Sequence, residues 1–121
     1  MKIENLHPRN KIFLAPMQEI NDISFRLLCK KAGSGMNWSE MLHPKTQQKF
    51  YLEDKPVVQL FCNKKDEIKD FMKRYSSEVS GWDFNLGCPA PRAKQNNYGA
   101  YLTNKKKIEE ILKEIKKDAK T

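Results

Sequence analysis

Apolar residues in this chain fall into short continuous runs and helically spaced stripes, separated by polar turns. Ile12, Phe13, Leu14 and Ala15 form the first run and Pro16 ends it, the pattern of a strand buried on both faces. Asn21 or Asp22 can cap a helix carrying Phe25, Leu28, Cys29 and Ala32 at helical spacing, and Gly33 is its stop. A second strand is expected from Met36 to Ser39, with Glu40 and Met41 at its carboxyl end. His43 to Asp54 is polar and interrupted, which reads as a loop with a helical turn or two.

Pro56 introduces Val57-Val58-Gln59-Leu60-Phe61, the clearest strand in the chain, β-branched and apolar except for one amide. Gln59 therefore either meets water at an edge or loop, or contacts a ligand in a barrel mouth or crevice. Lys65 to Val79 repeats the helical pattern, with Ile68, Phe71, Met72, Tyr75 and Val79 on one stripe and charges opposite. Trp82, Phe84 and Leu86 alternate with Asp83 and Asn85 as a strand that Gly87 and Pro89 break. The loop holding Cys88 runs through Pro91, Arg92 and Lys94 into the uncharged stretch from Gln95 to Gly99. A final helix from about Asn104 to Ala119 puts Ile108, Ile111, Leu112 and Ile115 on a core face. Strand and helix alternate about four times, which predicts an α/β fold with a parallel sheet and right-handed crossovers.

Composition narrows the function classes. The 121 residues match one domain, and no linker divides them. Lys and Arg number 23 against 15 Asp and Glu, an excess of +8 that permits attraction to a polyanion such as RNA, although many lysines near the carboxyl terminus suit the solvated face of a helix. No apolar run approaches the roughly 20 residues that cross a bilayer, and the amino terminus lacks the apolar core of a signal peptide, so the expectation is a cytoplasmic protein without a membrane partner. Cys29, Cys62 and Cys88 are odd in number and far apart, and only His7 and His43 accompany them, which argues against a zinc or disulfide scaffold and against a metal site.

Cys88 lies just past the carboxyl end of a strand, where α/β folds assemble their active sites. A thiol with an ordinary pKa near about 8.5 is largely protonated at neutral pH and donates a proton without special activation. A thiolate nucleophile would need a base or cationic partner, and no nearby His supplies one. A structural thiol is the other reading. Asn85 offers an amide donor and acceptor to a base edge or a flavin, or else caps the turn.

Four motifs in order resemble those of the amino-terminal half of tRNA dihydrouridine synthases. They are Leu14-Ala15-Pro16-Met17 followed by Asp22 and Phe25-Arg26-Leu27-Leu28-Cys29, then Ser39-Glu40-Met41, Val58-Gln59-Leu60-Phe61, and Asn85-Leu86-Gly87-Cys88-Pro89. The resemblance implies parallel (βα) repeats forming about half of a TIM barrel, truncated before closure. It also implies FMN, reduced by NADPH, as the source of a hydride for carbon 6 of a uridine in tRNA. Cys88 would protonate carbon 5 from the other side of the ring. Pro16 and Met17 would lie against the flavin, Gln59 would hydrogen-bond its ring and Asn85 would stand near the uracil. Glu40 would orient the substrate or loop, or simply cap it. Arg92 and Lys94 would meet tRNA phosphates or remain solvated.

Several positions depart from the family pattern. Gln18-Glu19-Ile20-Asn21 replaces a common Ala-Gly-Val-Thr, Cys62 stands where glycine usually follows, and Gln95 to Leu102 is a poor copy of a glycine-rich loop. A TIM barrel takes about 250 residues, so residues 1–121 read as the amino-terminal part of the catalytic domain. The carboxyl-terminal half, with its flavin-contacting lysine and histidine, and the helical tRNA-binding domain lie outside this sequence. The expectation is a piece of a longer enzyme, or one half of a two-chain assembly, with little reductase activity alone and with two strand edges and an apolar barrel interior uncovered. A noncatalytic basic RNA-binding remnant is the alternative from another class. Another flavin-barrel reductase acting on a small molecule is a third, which the Asn-Leu-Gly-Cys-Pro and Ser-Glu-Met motifs suit less well.

Overall fold

Residues 57–60 are all buried, and their alternation decides which side of the sheet becomes core. In the computed structural model, which describes Ile3 and residues 6–119, four strands form one sheet. These are β1 (Phe13–Leu14), β2 (Met36–Leu42), β3 (Val57–Leu60) and β4 (Gly81–Phe84), in the order β1-β2-β3-β4 with every pair parallel. Four α-helices accompany them: α1 (Ile23–Lys31), α2 (Lys65–Tyr75), α3 (Pro91–Asn96) and α4 (Lys105–Asp118), with a 3₁₀ turn at Gly99–Tyr101. Sequential parallel order is what part of a (βα) barrel has, so the α/β reading holds.

Val58 and Leu60 point toward the helices and join Leu42, Cys62, Ile68, Phe71, Met72 and Ile111 in one core, against which Trp82 and Phe84 also pack. Burying Ile68 or Met72 completely contributes roughly 1.5–3 kcal/mol each. Helix α2 carries Asp66 and Glu67 in its first turn and Lys73 and Arg74 in its last, charges that match the helix dipole. On the other side of the sheet stand Val57, Gln59, Asp83 and Asn85. The β3–β4 register places Gln59 directly beside Asp83.

Strand β2 reaches this second face through an irregularity. Trp38 pairs with Val57 and Met41 with Gln59, so β2 spends one more residue than β3 between those pairs. Side chains three apart normally point to opposite faces; the extra residue brings Trp38 and Met41 to the same one.

Several expectations need correction. Strand β1 is only half-buried and Ile12 is 69% exposed, because β1 is an edge strand rather than a doubly covered one. Strand β2 continues to Leu42, so Glu40 and Met41 lie within it; its polar Asn37 and Ser39 are buried with partners, Asn37 Nδ2 donating to Arg26 O and Ser39 Oγ accepting from Gln59 N. Residues 43–56 form no helical turn, so the β2–β3 connection lacks the expected helix. Helix α1 begins at the Asp22 cap as read, but its buried residue is Arg26 while Leu28 is 61% exposed. Helix α2 ends at Tyr75, β4 ends at Phe84 with Leu86 outside it, and Leu112 of α4 is 45% exposed. The Cys88 loop runs into a helix, α3, that the pattern did not announce.

Candidate functional site

Across the face of the sheet opposite the helices, a chain of hydrogen bonds joins residues of β2, β3 and β4 and runs on into the loop after β4. Asp83 Oδ2 accepts from Gln59 Nε2 at 2.7 Å and from the Trp38 indole Nε1 at 3.1 Å. Gln59 Oε1 accepts from Asn85 Nδ2 at 3.0 Å, and the same Nδ2 lies 3.3 Å from Met41 Sδ. Asn85 Oδ1 accepts from the backbone N–H of Gly87 at 3.1 Å and of Cys88 at 2.9 Å. Gln59 is thus no water-facing edge amide: it is 6% exposed and bonded at both ends. Asn85 does cap the turn, through Oδ1, while its Nδ2 holds Gln59.

Cys88 is half-buried on the loop after β4, and the backbone of Gly99 closes on it from behind. Gly99 adopts φ 53°, and a Cβ there would stand 2.6 Å from Cys88 O. Ala100 N donates to that same oxygen at 3.1 Å. Gly87, by contrast, has open space where its Cβ would be, which leaves the loop approachable on that side.

Beside this loop lies a second cluster. His43, just after β2, shares a 3.1 Å hydrogen bond with the Tyr98 hydroxyl, and its Nε2 is 3.6 Å from Glu67 Oε2. Lys45 Nζ pairs with Glu67 Oε1 at 2.9 Å, and the Phe61 ring meets Tyr98 edge-on. Burial pushes His43 below the usual histidine range, opposed in part by Glu67. Burial works against Glu67 as well, but the hydrogen bond and charge of Lys45, with His43 and Lys64, hold its carboxyl below the usual range. Burial also pushes the Cys62 thiol up to about 12, which keeps it inert.

The structure therefore brings Gln59, Asn85 and the Cys88 loop together. Pro16 and Met17 follow β1, two strands from β3, and are half-buried; no hydrogen bond joins them to Gln59 among the described residues. Arg92 and Lys94 sit exposed on α3, just past Cys88. Glu40 is half-buried in β2. The sequence reading missed Asp83, Trp38 and Gly99; the one signal for Asp83 was its place on the Asn85 side of the β4 alternation. The face opposite the helices, expected to be apolar, carries Gln59, Asp83 and Asn85. A cavity of about 360 Å³ lined by Arg9, Lys30, Glu53 and Lys55 lies at the other end of the strands and holds none of the site residues. No group of His, Cys, Asp or Glu able to hold a metal occurs among the described residues. None of their helices is long and apolar enough to cross a membrane.

A parallel α/β sheet with a loop cysteine at its carboxyl end and amides on neighbouring strands defines an enzyme-like site at a strand-end mouth. The family model for dihydrouridine synthase matches residues 13–121, and the chain belongs to that family. It is 33% identical to a probable tRNA-dihydrouridine synthase of Helicobacter pylori (strain J99), over 88% of this chain and 37% of the relative. It is 30% identical to tRNA-dihydrouridine synthase B of Vibrio vulnificus, over 95% of this chain and 40% of the relative. A tRNA-dihydrouridine(16/17) synthase of Saccharomyces cerevisiae, named for NAD(P)(+), is 30% identical over 74% of this chain and 24% of the relative. The chain thus spans 24–40% of the length of these relatives.

Proposed function

We propose that this chain is the amino-terminal part of the catalytic barrel of an FMN-dependent tRNA dihydrouridine synthase, in which Cys88 is the proton donor. The observation that carries the reading is the Asn85 side chain, which holds the Cys88 loop through two backbone N–H groups and Gln59 through its amide nitrogen.

Gln59 fits a flavin edge. Its Nε2 keeps one hydrogen beyond the bond to Asp83, and its Oε1 keeps one lone pair beyond the bond from Asn85, so a donor and an acceptor remain side by side. Pro16 and Met17 would form the apolar support of the ring. Bound FMN would supply a hydride, drawn from NADPH, for carbon 6 of the uracil. Cys88 would give its Sγ proton to carbon 5 and be left as a thiolate that solvent reprotonates. Asn85 would orient the base, and Arg92 and Lys94 on α3 would meet phosphates of a tRNA drawn by the +8 charge.

The remaining strands would come from the same polypeptide or a separate one. The edges of β1 and β4, unpaired among the described residues, support this, as do exposed Leu27 and Leu28 on α1 and Leu112 on α4. Such an enzyme would work in the cytoplasm. Assayed in its complete barrel with FMN, NADPH and unmodified tRNA, the protein is expected to form dihydrouridine, and Cys88→Ala to abolish it while leaving flavin bound. An unchanged dihydrouridine yield in that variant would remove the proton-donor role; RNA binding with neither flavin nor reduction in the wild type would favour the noncatalytic remnant.

A further inference from the structure

His43 has a partner at each ring nitrogen, and the partners decide which nitrogen carries the proton. Nδ1 lies 3.1 Å from the backbone N–H of Lys45, which only donates, so Nδ1 is bare and the hydrogen sits on Nε2. Burial, which lowers the His43 pKa, favours this neutral ring. Nε2 faces the Tyr98 hydroxyl at 3.1 Å and donates to it, and no other hydrogen bond reaches that hydroxyl among the described residues. The Phe61 ring meets Tyr98 edge-on with centroids 5.2 Å apart, and the His43 ring lies tilted against it at 5.5 Å. Tyr98 is thus gripped by the residues that follow β2 and β3.

The residues that follow Tyr98 back the Cys88 loop. A Cβ on Gly99 would stand 3.1 Å from both Cys88 N and Cys88 Cβ, and Ala100 N donates to Cys88 O at 3.1 Å. We propose that His43 is a positioning residue for Cys88: its bond to the Tyr98 hydroxyl fixes the segment from Tyr98 to Ala100, and that segment fixes the Cys88 backbone. The inference rests on the reading of Cys88 as proton donor, for which the pose of the thiol matters. Without the Nε2 hydrogen Tyr98 keeps only its ring contacts, and Gly99 and Ala100 open away from Cys88 more often.

Two substitutions at position 43 separate the bonds of the ring. His43→Asn keeps an acceptor near the Nδ1 position for Lys45 N–H but falls short of Tyr98, whereas His43→Gln carries a donor to the reach of Nε2. Amide hydrogen exchange of the full chain, followed by NMR, reads the result at Ala100. His43→Asn and Tyr98→Phe are each expected to speed Ala100 exchange roughly threefold to tenfold, the worth of about one hydrogen bond, while Val58 and Leu60 in β3 keep their protection. The double variant should exchange no faster than either single one, because both remove the same bond. His43→Gln should hold Ala100 close to the wild-type rate. Unchanged Ala100 exchange in either single variant, additive effects in the double, no rescue by His43→Gln, or an equal loss of protection at Val58 and Leu60 overturns the proposal. Should His43→Asn unfold, Tyr98→Phe decides alone: faster exchange at Ala100 with β3 still protected supports the link, and any other result overturns it. Neither flavin nor tRNA enters the measurement, so a failure here leaves the reductase reading standing, and a wild type without dihydrouridine activity leaves the link from His43 to the Cys88 backbone standing.

Discussion

Arg26 grips Asp54 with two prongs, Nε to Oδ2 at 2.9 Å and Nη2 to Oδ1 at 2.7 Å, and side-chain exposures of 5% and 1% keep the pair almost entirely out of water. Two further Arg26 hydrogens go to backbone carbonyls, one from Nη1 to Asn21 O and one from Nη2 to Tyr51 O. One guanidinium thus ties helix α1 to the loop before β3, and α1 turns a polar residue inward at the expense of Leu27 and Leu28.

Removing one partner should expose the cost of that arrangement. Asp54→Ala leaves a buried guanidinium uncompensated and is expected to destabilise the chain by about 3–5 kcal/mol in urea titration. A loss below about 1 kcal/mol would show that water reaches the pair.

Gly99 and Gly87 should answer oppositely to the same methyl group. Gly99→Ala combines a left-handed backbone with a contact 2.6 Å from Cys88 O, so a loss of about 1–3 kcal/mol and shifted Cys88 NMR signals are expected. Gly87→Ala meets nothing within 4 Å and should change stability by less than about 0.5 kcal/mol. In the complete enzyme it should still slow dihydrouridine formation, because the methyl fills the approach to Cys88. Equal stability losses at both positions would contradict the packing described.

The three cysteines should separate under a thiol reagent. Cys62 is fully buried with its pKa pushed up to about 12, so mass spectrometry should find it unmodified until denaturant is added. Cys88 and Cys29, both partly exposed, should be modified in the folded chain. Early modification of Cys62 would mean that the core opens between α2 and the sheet.

His43 should give the stability a pH slope. Its folded pKa lies below 6.5 through burial, Glu67 opposing and Arg92, Lys45 and Lys64 reinforcing the shift, so the unfolded chain binds the proton more readily. Stability is then level above about pH 6.5 and falls as the pH drops below it. Denaturation midpoints from about pH 7.5 to 5.5 should decline more steeply for the wild type than for His43→Gln, with His7 common to both. Parallel curves would assign the slope elsewhere.

Glu19 adopts φ 61°, a left-handed conformation that costs a residue with a Cβ about 1 kcal/mol. Glycine adopts that conformation without the penalty. Glu19→Gly should therefore raise stability by up to about 1 kcal/mol, read as a higher urea midpoint. A lower midpoint would mean that the Glu19 side chain contributes more than its backbone costs.

Strong periodicity made β3 and α2 legible, since Val57, Val58, Leu60, Ile68, Phe71 and Met72 are buried for the reason that they are apolar. Helix α1 was misjudged because Arg26 is buried by pairing with a residue 28 positions away, which no local pattern encodes. Helix α3 has too few apolar residues to show a period; its signals were Pro91 in the first turn and Asn97, left-handed at the end. The polar residues of β2 disguised a seven-residue strand because their partners lie on α1 and β3. At the site, motif order singled out Gln59, Asn85 and Cys88, but Asp83 became visible only when the β3–β4 register set it against Gln59.

The order β1-β2-β3-β4 also sets a timetable. Each strand pairs with the one synthesised just before it, so a chain leaving the ribosome can extend the sheet without waiting for a distant segment. Trp38 and Gln59 emerge first and stand with unpaired donors until Asp83 arrives to accept from both. Docking of β4 then seats the cysteine loop and completes the polar cluster in one event, which makes the site the last part of this sheet to mature during translation.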